Sequence, residues 1–301
     1  MKLAITGGTG FVGSHLLEQA VAAGHQVAAL ARRPQPPRDG IRWVEGALDR
    51  PDSLAALVEG ADAIVHVAGV INGDDATFRQ GNILGTEAMV AAAARAGVCR
   101  FIHISSLAAR HPELSAYGRS KCESEEPVMA AGGDWTILRP PAIYGPRDRE
   151  MFELFRAAKR LGVIPLPPGG RLSVIHVADL CGLILACLDN EISHNRTYEP
   201  DDGRPHGWAT VELARAIGRA VGRRVLPLPI PQRVLLAGAA IDRLVRRDKA
   251  KLTRDRVNYF CHPDWAAATH AVPPATLWSP AVPTADGLAA TFRWYREQGW
   301  L

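Results

Sequence analysis

The sequence predicts an α/β fold: a doubly wound parallel sheet with a small, mostly helical C-terminal lobe. Three observations carry this. Short β-rich apolar runs alternate with segments of helical periodicity over the first 138 residues. The first run, residues 3–5, feeds the glycine cluster Thr6-Gly7-Gly8-Thr9-Gly10-Phe11-Val12-Gly13, which opens into an amphipathic stretch. After Arg139 the rhythm breaks into Pro140-Pro141, Tyr144-Gly145-Pro146 and the proline- and glycine-rich residues 165–170, where the chain is expected to leave the sheet.

The elements follow in order. Residues 3–5 form the first strand, and the glycine cluster must convert it into a helix within a few residues. Glycine permits that turn and lets backbone N–H groups approach a pyrophosphate, while Gly13 lets the helix pack closely on the sheet. In such a Rossmann-type turn the anion rests on the positive end of the helix that begins near Gly10. Gly7, Thr9, Gly10, Phe11, Val12 and Gly13 are therefore candidate cofactor-binding residues. The first helix is expected over 11–23, stopping at Gly24. Strands are expected at 27–30, 41–44, 63–67, 101–104 and 135–138. Helices are expected at 53–58, with Ser53 as N-cap, and at 86–96 before Gly97. Beyond the break, one return to the sheet is expected at 173–177, followed by a helix over 178–188. Helices at 210–221 and 231–246 precede a tryptophan-rich tail. The division read from this is a dinucleotide-binding domain over 1–196, with 140–172 contributing to the substrate lobe, and a C-terminal substrate lobe over 197–301.

Composition excludes several classes. With 47% hydrophobic and 22% charged residues the chain is an ordinary globular one, and a net charge of +4 is too small to indicate a nucleic-acid partner. Five cysteines without a C-x-x-C spacing indicate neither a metal site nor a disulfide framework. Residues 1–6 supply the first strand rather than a cleaved signal, and no apolar run approaches the roughly 20 residues that span a bilayer. The expectation is a soluble cytoplasmic protein acting on a small molecule, with a homodimer left open.

Two sets of residues carry chemistry. The second strand ends in Ala31-Arg32-Arg33, where an NAD-preferring fold would place an acid on the ribose 2′-hydroxyl. A guanidinium pair suits a 2′-phosphate instead, so NADP(H) is expected over NAD(H). Further on, Tyr117-Gly118-Arg119-Ser120-Lys121 places a tyrosine and a lysine four apart on one helical face, after Ser105-Ser106 at a strand end. The ammonium is expected to lower the phenol pKa toward neutrality, as a tyrosine acid/base requires, while a serine hydroxyl holds the substrate oxygen. Five tyrosines and five lysines in 301 residues would produce roughly 0.08 such pairs by chance.

With these residues in hand, the chain resembles the extended branch of the short-chain dehydrogenase/reductase superfamily, which includes epimerases, dehydratases and 3β-hydroxysteroid-type dehydrogenases. The resemblance spans nearly the whole chain. It rests on the residues from Thr6 to Gly13, His66-Val67-Ala68-Gly69, Asn82-Ile83-Leu84-Gly85-Thr86, Ser105-Ser106, Tyr117 with Lys121, Leu138-Arg139-Pro140 through Tyr144-Gly145-Pro146, and Ile175-His176-Val177-Ala178-Asp179-Leu180. It implies a catalytic set of Ser106, Tyr117 and Lys121, with Ser105 as the fallback serine and Lys121 also on the nicotinamide ribose. It further implies that Leu48, Ala68, Gly69, Asn82, Ser105, Pro140 and Ile143 line the cofactor. In place of the family's Gly-Asp-Leu the chain reads Gly46-Ala47-Leu48, so the usual acid at the adenine is absent or replaced by Asp49. The segment between Ser106 and Tyr117 is also short for an extended member.

Other residues read more plainly. His66 and His176 lie in apolar strands and are expected as hydrogen-bonded core histidines, and Asp179 as a helix cap or local partner. Trp265, Trp278, Trp294, Tyr295 and Trp300 are expected to pack the small lobe. The run Asp242-Arg243-Leu244-Val245-Arg246-Arg247-Asp248-Lys249-Ala250-Lys251 reads as a solvated helix face beside the packed residues 234–241, with a lipid-facing role as the alternative. The sugar-nucleotide arginine before the strand at 173–177 is displaced to Arg171, and residues 163–168 are apolar, which favours an apolar substrate. The function read from the sequence is an NADP(H)-dependent oxidoreductase interconverting a hydroxyl and a carbonyl on a largely apolar small molecule. The alternatives are a nucleotide-sugar epimerase or dehydratase that retains its cofactor, and a non-catalytic dinucleotide-binding protein.

Overall fold

The computed structural model describes residues 1–246 and 253–301. Its centre is a seven-stranded, all-parallel sheet. In chain order the strands are β1 (Lys2–Thr6), β2 (Gln26–Ala31), β3 (Ile41–Glu45), β4 (Ala63–His66), β5 (Arg100–Ile104) and β6 (Asp134–Leu138), with Arg196–Tyr198 as the seventh. The spatial order is Arg196–Tyr198, β6, β5, β4, β1, β2, β3. The order reverses between β1 and β4, and an open parallel sheet receives its ligand in the crevice at that switch point.

Helices cover both faces: α1 (Phe11–Ala22), α2 (Pro51–Val58), the short α3 (Asp75–Phe78), α4 (Gly85–Ala96) and α5 (Ala116–Ala130). The inner strands β1, β2 and β4 are largely apolar because both faces are buried, and Ala4, Ile5, Ile64, Val65 and Ile102 are inaccessible to solvent. Helix α4 stops at Gly97, whose φ of 70° is the left-handed conformation glycine adopts without strain.

The structure corrects three local expectations here. Residues 173–177 do not rejoin the main sheet: Val174–His176 pairs in parallel with Ala142–Tyr144 in a separate two-stranded sheet. The return is made by Arg196–Tyr198, which pairs with β6. Ser53 does not cap α2, because Pro51 already occupies the first turn and the Ser53 hydroxyl instead donates to the Ala47 and Arg50 carbonyls. Asp179 is not an N-cap either. His176 holds that place, its Nδ1 accepting from the Ala178 N–H, and Asp179 instead accepts from the Ala281 and Val282 amides of the C-terminal segment.

The small lobe has its own core, built on Tyr144, Phe155, Ile164, Val174, Leu213, Ile217, Leu288, Phe292 and Tyr295. Trp294, Tyr295 and Trp300 stack within it as expected, whereas Trp278 packs on the core of the main sheet. Ile164 and Leu166 are buried in the small-lobe core, so the apolar run at 163–168 serves packing more than a pocket. The two regions are tied by His15 Nε2 on the Pro146 carbonyl at 2.8 Å and by Gln19 donating to the Ala178 carbonyl. Val234 and Ile241, expected on a packed face, are exposed, and the basic run past Arg246 lies outside the described residues until Thr253.

Candidate active site

The glycine turn after β1 is built for an absent side chain at two places. Gly7 has φ of 73°, and a Cβ there would sit 2.7 Å from the Ala68 nitrogen. A Cβ at Gly13 would lie 2.0 Å from the Gly7 carbonyl oxygen, so only glycine lets α1 approach β1 this closely. The Gly10 N–H closes the turn on the Gly7 carbonyl at 2.9 Å, and no side chain caps α1. The first-turn amides of Phe11 and Val12 are thus presented to an anion at the switch point, the arrangement a pyrophosphate requires. Arg32 and Arg33, just past β2, are exposed, and neither guanidinium bonds to a described residue. The residues present fit a nicotinamide dinucleotide.

The floor of the crevice is a buried hydrogen-bond chain that sequence reasoning saw only in part. Thr6 Oγ1 accepts from the Ala68 N–H and contacts His66 Nδ1 at 2.8 Å; His66 Nε2 contacts Thr86 Oγ1, which donates to the Asn82 carbonyl. With the Thr86 proton committed to that carbonyl, His66 donates from Nε2, and a neutral ring then accepts the Thr6 hydroxyl proton at Nδ1. Burial and the nearby Lys121 charge bring its pKa down to about 3. His66 is therefore the core histidine expected.

Asn82 spends its amide on the Val70 backbone and the Ser120 hydroxyl, so it fastens the 68–70 segment to α5. Leu48 packs against α4, where a Cβ at Gly85 would meet it at 2.6 Å, and Asp49 is exposed. Ala68 and the exposed Gly69 follow β4. The Pro140 carbonyl accepts from the Leu107 N–H, and Ile143 packs on the main core.

The catalytic candidates come together at the C-terminal end of β5. Ser106 caps a 3₁₀ turn, Leu107–Arg110, through the Ala108 N–H, and its hydroxyl is near enough to the Tyr117 phenol to oppose the upward shift of that group. Tyr117 sits in the first turn of α5, which Ser115 caps through the Gly118 N–H. One turn on, Lys121 is 4% exposed and donates to the Ile104 carbonyl at 2.7 Å, and its Nζ would stand 3.7 Å from a Cβ on Gly69. Ser105 is not interchangeable with Ser106. Its hydroxyl donates to Glu125, which also takes two N–H bonds from Arg139 at 2.9 and 2.6 Å. No sequence signal marks that pair, because its members lie on different elements.

One electrostatic expectation is corrected. Burial raises the Tyr117 phenol above 10, with the Ser106 hydrogen bond opposing it, rather than Lys121 drawing it down. Burial lowers Lys121 to about 8, with Glu125 opposing that shift. Between pH 8 and 10.5 the unfolded chain therefore holds a proton that the folded one has released, so this group's contribution to stability rises with pH across that window. The urea midpoint of the wild-type protein should rise relative to Lys121→Met as pH goes from 8 to 10; a gap that stays constant contradicts the assignment.

A wall of aromatic side chains faces the tyrosine. Phe78 lies 6.0 Å from the Tyr117 ring, and burial holds the Tyr259 phenol well above its ordinary range, with the Tyr117 phenol adding to that shift. Trp265 packs on Tyr259 at 4.6 Å and donates to its carbonyl at 2.9 Å. Arg171 is exposed and directs its Nε to the His206 carbonyl. No group of metal-ligating side chains occurs among the described residues.

A parallel sheet with a glycine-turn nucleotide crevice and a tyrosine–lysine pair beside it defines a nicotinamide-dependent enzyme. The family model for NAD(P)H-binding domains matches residues 7–191. The chain is 36% identical to ceramide reductase of Caulobacter vibrioides over 99% of this chain and 96% of that protein. It is 27% identical to UDP-glucose 4-epimerase of Vibrio cholerae over 76% of this chain and 79% of that one. Among solved structures, MoeE5 in complex with UDP-glucose and NAD superposes with a TM-score of 0.77 at 21% identity, covering 99% of each chain. The chain belongs to the extended short-chain dehydrogenase/reductase superfamily of NAD(P)-binding enzymes, and it is an NAD(P)-dependent oxidoreductase. No described helix is long and apolar enough to cross a membrane.

Proposed function

We propose that this enzyme uses NADPH to reduce a ketone on a ceramide-type lipid. The observation that carries the reading is the placement of Ser106 at the end of β5 with Tyr117 in the first turn of α5 and the Lys121 ammonium buried one turn further on, anchored on the Ile104 carbonyl. A bound nicotinamide supplies the hydride. Ser106 holds the substrate carbonyl oxygen, Tyr117 delivers the proton to that oxygen as it becomes an alcohol, and Lys121 offsets the negative charge left on the phenol. The aromatic wall of Phe78, Tyr259 and Trp265 excludes water from the transfer and suits an apolar chain.

The substrate class is supported by the full-length similarity to ceramide reductase, and by the engagement of Arg171 with the His206 carbonyl, away from any role in holding a diphosphate. In the assay, NADPH absorbance falls on addition of a ketone-bearing ceramide, and isothermal titration with UDP and nucleotide sugars gives no micromolar binding. Micromolar binding of a nucleotide sugar would move the assignment to the epimerase reading.

The cofactor preference rests on Arg32 and Arg33, exposed and without a bonding partner among the described residues, beyond β2 where a 2′-phosphate would lie. Fluorescence titration should give tighter binding of NADPH than of NADH by about tenfold or more, the scale of one charge-assisted phosphate contact. Arg32→Asp should abolish or reverse that ratio. Equal affinities in the wild-type protein would overturn the assignment.

A further inference from the structure

Resting on the lipid-substrate reading above, we propose that the helix Gln232–Arg246 is a docking surface for an anionic phospholipid bilayer, on which the enzyme lies to take up its substrate. The first observation is an apolar stripe turned to solvent. Val234, Ala237, Ile241 and Leu244 recur at three- and four-residue spacing, so they share one face of the helix, and all four are exposed. Val234, Ile241 and Leu244 are 57%, 63% and 82% accessible, whereas Ala239 on another face is buried. A helix on a purely aqueous surface carries polar residues at such positions; one lying in a lipid headgroup region carries apolar ones. The strand Leu226–Pro229, just before this helix, adds exposed Leu226 and Leu228.

Charge selects the kind of surface. Residues 232–256 contain eight arginines and lysines against three aspartates, while the whole chain carries only +4, so the basic surplus is concentrated in this one stretch. An apolar face within a basic segment complements an anionic leaflet, whose negative surface potential attracts each such charge. That complementarity favours lipid over a second copy of the chain, whose matching stretch would bear the same charge.

Position links the surface to the chemistry. The next described helix, Arg254–Phe260, packs on Gln232–Arg246, and Gln232 donates to Asn258 across the pair. From that second helix Asp255 accepts the Ala116 N–H at 3.0 Å, at the start of α5 and one residue before Tyr117. A bilayer under the first helix therefore lies one helix away from the catalytic tyrosine, and a lipid leaving the leaflet passes only the aromatic wall.

Co-sedimentation of the full-length protein with vesicles tests this, using phosphatidylcholine alone and phosphatidylcholine mixed with phosphatidylglycerol. Binding is expected to the anionic vesicles, weaker to the neutral ones, and falling as salt is raised. Ile241→Glu with Leu244→Glu should cut the partition coefficient by about tenfold or more, and both sites are exposed enough for the fold to tolerate the change. The double variant should keep wild-type turnover on a short-chain, monomeric ketone substrate and lose turnover on the same ketone embedded in anionic vesicles. Absence of wild-type binding to anionic vesicles, or equal binding by the variant, overturns the proposal. So does a variant that dissociates an oligomer without any wild-type vesicle binding, since that identifies a second copy as the occupant. Vesicle binding without reduction of any ketone leaves the docking surface standing and removes the lipid-reductase reading; reduction of the soluble ketone without vesicle binding does the reverse.

Discussion

Tyr117→Phe should lower turnover by roughly 10²- to 10⁴-fold while leaving NADPH affinity nearly unchanged. The substitution removes one oxygen from a half-buried ring and keeps its packing against Phe78, so the fold and the glycine turn are undisturbed. What is lost is the proton delivered to the forming alkoxide, and general acid catalysis is worth about that factor. The loss should appear in kcat and kcat/KM together, because the interaction is realised in the transition state rather than in the bound ground state. Near-normal turnover would remove Tyr117 from the proton-donor role. Lys121→Ala, by contrast, should damage both binding and turnover, because the residue stands within reach of Gly69 as well as beneath the tyrosine.

The largest stability effect is expected at Glu125. This carboxylate is 2% exposed and is held by two N–H bonds from Arg139 and by the Ser105 hydroxyl. Glu125→Ala leaves a largely buried guanidinium without its partner, a change that costs about 3 kcal/mol once the partial exposure of Arg139 is allowed for. The double change Glu125→Met with Arg139→Met should recover a substantial part of that loss, since replacing both charges removes the orphan. Urea unfolding of the two variants checks both statements, and a loss under about 1 kcal/mol in the single variant would contradict them. Activity should fall as well: Ser105 sits between the Ile104 carbonyl that anchors Lys121 and the Ser106 hydroxyl, so loosening it shifts both.

The sheet was legible from the sequence because strands buried on both faces are rich in apolar and β-branched residues, and six runs of that kind, the outer ones interrupted by polar residues, occur between residues 2 and 138. The glycine turn was legible for a steric reason that the structure makes quantitative, the 2.0 Å approach that any Cβ at Gly13 would make to the Gly7 carbonyl. The tyrosine–lysine spacing fixed a shared helical face but not the electrostatics, since the depth of burial that raises the phenol and lowers the ammonium is a property of the packed core. Three other features left no local signal. The seventh strand, Arg196–Tyr198, is too short to show a period. The π-helical turn Arg79–Leu84, which carries Asn82 to Val70 and Ser120, departs from ordinary helical spacing. The Glu125–Arg139 pair joins a helix to the end of a strand. The exposed stripe on Gln232–Arg246 was visible as a pattern, but a sequence cannot say whether such a face is covered.

A single-turnover reaction with NADPH deuterated at the transferable position and a ketone-bearing ceramide, read by mass spectrometry of the lipid, tests the hydride transfer itself. The wild-type enzyme is expected to form an alcohol product carrying one deuterium on the former carbonyl carbon, nearly absent with Tyr117→Phe. A lipid recovered without deuterium while NADPH is bound, or a nucleotide sugar epimerised by the same preparation, would contradict the ketone-reductase reading.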